Sequence, residues 1–128
     1  MLKFENKKAL DEVTKIVTRA HNASVQAMSR KTRRADPELK SLATLKRVFE
    51  ESETNCPMQL KRQELRTLQN LLTVTHDTLV GSVIPTYLER IDSEGDTAMV
   101  NKYKEYVNVA KERVHTLKNV LIMIGRNL

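Results

Sequence analysis

Apolar residues near the C-terminal end of this chain recur with helical regularity. Val100, Tyr103, Val107, Ala110, Val114, Leu117, Leu121 and Ile124 alternate at spacings of three and four, which places one apolar seam along a long helix over about three and a half heptads. An apolar seam of that length requires cover from another helix. The first part of the chain repeats the pattern. Leu10, Val13, Val17, Ala20, Ser24 and Ala27 hold the same spacing, with Ile16 and Met28 widening the stripe. The spacing predicts a first helix over about Glu5 to Arg30, ending in small residues that allow close helix approach.

Punctuation between the seams separates two more helices. Asp36-Pro37-Glu38 reads as a helix start, with Asp36 as N-cap, Pro37 in the first turn and Glu38 at the positive helix end. A second helix is expected from Pro37 to about Glu51, with Leu39, Leu42, Leu45 and Phe49 inward. Ser52 to Pro57 forms the next break, where Thr54 or Asn55 can cap a third helix beginning near Pro57 or Met58. In that helix Leu65, Leu68, Leu72, Leu79 and Val83 share a face, and Leu71, Val74, Val80 and Ile84 widen it, so it is expected to be the most buried. Pro85 lacks a backbone N–H and crowds the carbonyl four residues back. A kink or short break is therefore expected there, with helix continuing to about Ile91 and with Leu88 and Ile91 inward. Asp92 to Asp96 reads as a turn, and Asp96 or Thr97 as the cap of the last helix, which is expected to end near Gly125.

These elements predict an all-α fold, a four-helix bundle-like single domain of long helices spanning residues 1–128, with the third helix kinked near Pro85. Composition agrees. Only three glycines and three prolines interrupt 128 residues of which 40% are apolar and 30% charged, and few breakers favour few, long helices. No apolar run approaches the roughly 18 residues of a membrane span, and the first residues lack the apolar core of a signal peptide. Cys56 is the only cysteine, so no intrachain disulfide can form. A cytoplasmic protein is expected, with no membrane association.

Charge identifies the best interaction features. The chain carries 22 basic and 16 acidic residues, a net +6. Residues 1–64 contain 14 of the basic and 9 of the acidic ones. Arg30, Lys31, Arg33 and Arg34 fall within five residues at the junction of the first two helices, and Lys61 and Arg62 add to them. Such a cluster suits phosphates or an acidic protein partner. With no tryptophan, three tyrosines and two phenylalanines, base stacking has little to work with, so contact with DNA or RNA would run through the backbone. On the last helix Lys104, Lys111 and Lys118 recur every seven residues, one position after Tyr103, Ala110 and Leu117, and flank the seam. In coiled coils such positions select partners by charge. The long seams also leave room for a homodimer. Tyr103 is expected in the seam and Tyr106 on the surface.

Catalytic patterns are missing by comparison. The stretch His76-Asp77-Thr78-Leu79-Val80-Gly81-Ser82 resembles the phospho-acceptor segment His-x-x-Lys-Gly-Ser of histidine phosphotransfer domains. It departs from that motif at two points: Leu79 occupies the lysine position, and Gly81 stands five residues after the histidine instead of four. A phosphoryl group on His76 would lack its cationic partner. His21 and His115 have no ligand three or four residues away, and Lys111 and Lys118 flank His115. No catalytic residue, metal or cofactor is expected. The expected function is a non-catalytic regulatory or adaptor protein, not an enzyme, that binds another protein or complex through a helical or basic surface. The alternative is sequence-nonspecific nucleic-acid binding through the basic connector.

Overall fold

The computed structural model describes residues 2–31 and 37–128, with the side chains of all of these except 28–31 and 37. Its helices are α1 (Lys7–Lys31), α2 (Pro37–Glu51), α3 (Arg62–Thr78), α4 (Ile84–Ser93) and α5 (Thr97–Asn127). A π turn, Leu79–Val83, joins α3 to α4 without leaving helical backbone. The described residues thus make four helical rods, and the fold is the all-α, bundle-like one that the seams predict.

Local chemistry sets most boundaries. The side chain of Asn6 accepts from the Lys8 N–H at 2.8 Å and so caps α1, two residues later than the seam alone suggests. Asp36, the expected cap of α2, lies outside the described residues. Asp96 caps α5 as expected, its Oδ1 accepting from the Ala98 N–H at 3.0 Å.

The start of α3 differs from expectation. The helix begins at Arg62, not at Pro57 or Met58, and neither Thr54 nor Asn55 caps it. Residues 55–58 pair instead with the N-terminal segment. Met58 N–H donates to Leu2 O at 2.7 Å, Leu2 N–H to Met58 O at 3.3 Å, and Asn55 N–H to Phe4 O at 2.7 Å. Backbone groups committed to that pairing cannot enter a helix. Asn55 takes φ 64°, a left-handed turn that asparagine tolerates. The buried carboxylate of Glu64 then reaches back to the Lys61 N–H at 3.0 Å and serves the otherwise unpaired start of α3.

One cluster of buried residues forms the core. Leu10, Val13, Ile16 and Val17 of α1, Leu45 and Phe49 of α2, Leu65, Leu68 and Leu72 of α3, and Ala110, Leu117, Val120 and Ile124 of α5 meet there. Leu2 and Phe4 plug one end, with the Phe4 ring edge-on to Phe49 at 5.7 Å. Leu39 is only half-buried.

The third rod departs from the expected burial. Leu79 is buried, but Val74 is 64% exposed, Val80 and Leu88 are exposed, and Ile91 is half-buried. The cause is placement. Among the described elements α1 and α2 do not reach α4, which packs only on α5 and the π turn. Around Pro85 the helix continues without leaving the αR region. The Ile84 N–H bonds to Leu79 O five residues back, so the wider turn lies just ahead of the proline, whose own N–H is absent.

Candidate functional site

Helix α4 and the first third of α5 therefore project beyond the bundle as a two-helix arm. From Ile84 to Tyr106 no side chain is buried. Ile84, Tyr87, Leu88 and Ile91 recur at helical spacing on α4, and Met99, Val100, Tyr103 and Tyr106 on α5. Apolar residues spaced this way ordinarily end in a core. Here the two helices cover one another only partly, and Leu88 remains 46% and Tyr106 40% exposed.

An aromatic group holds the arm together. The Tyr87 ring lies 5.9 Å from Tyr103 and 5.4 Å from Tyr106. The Arg90 guanidinium lies over both Tyr87, at 5.6 Å, and Tyr103, at 6.0 Å, close enough for cation–π attraction. Tyr103 is thus half-exposed in an aromatic cluster and not in the core seam, while Tyr106 lies at the surface as expected. Periodicity predicted both helices but could not join Tyr87 and Arg90 to Tyr103, because that contact crosses the turn at Glu94-Gly95.

Lys104, Lys111 and Lys118 stand exposed along α5, and none makes an ion pair among the described residues. Helix α1 pairs with neighbours of that line instead. Glu12 pairs with Arg113 at 2.6 Å, and on the same side Lys8 pairs with Glu112 at 3.3 Å.

The basic connector is only partly in view. Arg33 and Arg34 lie outside the described residues, as do the side chains of Arg30 and Lys31. Lys61 and Arg62 are exposed where α3 begins. Lys61 lines an open groove of about 660 Å³ with Arg47, Glu64, Met58 and Asn127. The structure thus brings Lys61 into one groove with Arg47, from α2.

The histidines remain apart. His76 is half-buried, with Nδ1 3.1 Å from Asp77 Oδ1, and Leu79 at the lysine position of the phosphotransfer motif is buried in the core. His115 Nε2 lies 3.3 Å from Asn119 Nδ2. His21 Nδ1 is buried without a hydrogen-bond partner among the described residues. Cys56 is exposed in the loop before α3. Among the described residues no three His, Cys, Asp or Glu side chains gather as a metal site, and no helix is long and apolar enough to cross a membrane.

Comparison of the chain with protein-family models, with curated proteins and with solved structures found no match.

Proposed function

We propose that this protein is a non-catalytic adaptor or regulatory protein that binds another macromolecule through the open face of its α4–α5 arm. One observation carries the reading: a strongly amphipathic helix, α4, buries none of its side chains. Exposed apolar residues are common singly, but here Leu88 and Tyr106 flank a half-covered row on an arm held clear of the bundle. A cytoplasmic setting belongs to the same reading and is supported by the lone thiol at Cys56.

A second reading is sequence-nonspecific binding of DNA or RNA through the basic connector together with Lys61 and Arg62. Its support is that the last two are exposed and make no ion pair among the described residues.

Photo-crosslinking separates the two. A photoreactive residue at position 88, with one at exposed Val25 as control, should capture a protein at 88 only. The captured protein, once purified, should lose its affinity for a Leu88→Asp variant. Capture of labelled DNA or RNA would favour the second reading, provided that binding falls steeply with salt and weakens in a variant with Arg30, Lys31, Arg33 and Arg34 replaced by alanine.

A further inference from the structure

Charge is divided unevenly between the arm and the rest of the chain. Residues 79–109 carry five acidic and three basic side chains, whereas the remainder carries 11 acidic and 19 basic. Four of the acidic ones gather at the tip, as Glu89, Asp92, Glu94 and Asp96, and the fifth, Glu105, lies beside Lys104. Arg90, the one cation at the tip, is turned over Tyr87 and Tyr103.

The opposite charge lies at the root of the same arm. Lys104 and Lys111 are exposed and unpaired among the described residues. They flank the apolar row Val100, Tyr103 and Val107, of which Val107 is buried and Val100 and Tyr103 are half-buried. Helix α1 approaches α5 on the side of Glu112 and Arg113. Lys111 lies about 100° around the axis from Glu112 and further from Arg113, so the lysine line faces away from α1. An apolar row that is acidic at one end and basic at the other is complementary to itself when turned end for end.

We infer that a second copy of this chain covers the arm. The two arms lie antiparallel, with the acidic tip of each against Lys111 of the other. The inference rests on the arm being an interaction face. At about 1.5 Å per residue, Asp96 to Val109 spans about 20 Å. Complete overlap places the twofold axis beside Tyr103 and brings Asp96 of one copy level with Ala110 of the other, next to its Lys111. The tyrosine clusters then meet at the centre, with the acidic tips and Lys111 at the periphery, the arrangement that concentrates binding energy in aromatic anchors sheltered from water. Two helical hairpins joined this way form a four-helix bundle. The footprint, about 20 Å by the width of two helices or roughly 400 Å² per copy, is below the ~800 Å² of a standard interface. The dimer is therefore reversible and salt-sensitive.

Sedimentation velocity across a micromolar to millimolar series tests this on the full chain. The wild type should pass from a 14.7 kDa monomer to a dimer, and added salt should shift the transition to higher concentration. Leu88→Asp should remain monomeric. So should a tip variant (Glu89→Lys with Asp92→Lys, leaving Glu94 and the Asp96 cap intact) and a root variant (Lys111→Glu). Each should keep wild-type helicity and melting temperature, since none of these side chains is buried. Mixing the tip and root variants should restore dimers at least tenfold tighter than either forms alone. A wild type that stays monomeric, a Leu88→Asp dimer as tight as wild type, or a mixture that fails to associate would overturn the inference. If the chain is monomeric and position 88 still captures another protein, only the second copy is lost and the arm remains an interaction face. If position 88 captures nothing, both fail.

Discussion

The Arg113 side chain donates through Nε to Glu12 Oε1 at 2.6 Å, tying α5 to α1 across 101 residues of sequence. Both groups are partly shielded from water, Glu12 more than Arg113. Exposed ion pairs contribute little, but a short, partly buried pair loses less to screening. A double-mutant cycle of Glu12→Gln and Arg113→Gln should give a coupling of about 1 kcal/mol by denaturant unfolding. Additive single effects would show that the pair only decorates the contact.

Leu117 is fully buried where α5 crosses the core. Leu117→Ala should cost about 2–5 kcal/mol through lost burial and the cavity left behind. Leu117→Asp should unfold the chain outright, because an unpaired carboxylate would replace an apolar core group. Circular dichroism melts of both variants check this, and an unchanged midpoint would place the α5 seam elsewhere.

Phe4 closes the end of the bundle against Phe49. Phe4→Ala should cost about 3–5 kcal/mol. It should also increase amide hydrogen exchange at Met58, whose N–H is held by Leu2 O. Exchange unchanged at Met58 would mean that the N-terminal segment stays paired without its aromatic anchor.

Gly81 lies inside the π turn on the third rod, and a Cβ added there meets nothing within 4 Å. Gly81→Ala should therefore stabilise the protein by about 0.5–1 kcal/mol, since alanine gives up less backbone freedom in a helix. Thermal or urea unfolding measures it. Destabilisation would show that the wider turn depends on the glycine.

The basic connector calls for a surface measurement instead of a stability one. Replacing Arg30, Lys31, Arg33 and Arg34 with alanine should leave helicity unchanged and lower affinity for a polyanion such as heparin. The slope of that affinity against salt should also become shallower. Lost helicity would make these cations structural.

Helix identity was legible in the sequence because period and punctuation are local. The seam from Val107 to Ile124, the bounds of α2 and the Asp96 cap depend on residues within a turn or two of each other. Burial was legible only where another rod covered the predicted face. Val74, Val80, Leu88 and Tyr103 follow the same periodicity as Leu68 and Leu117, yet α1 and α2 cover only the base of the α3–α5 hairpin. Likewise the backbone around Met58 forgoes helix for Leu2 and Phe4, partners more than 50 residues away. An all-α set of four rods, the Asp96 cap and most of the core were readable from the sequence, since each follows from local backbone chemistry and amphipathic spacing. Where cover ends is set by tertiary packing. That boundary leaves the arm open, because burial depends on which surfaces meet across long separations and not on the pattern within any one helix.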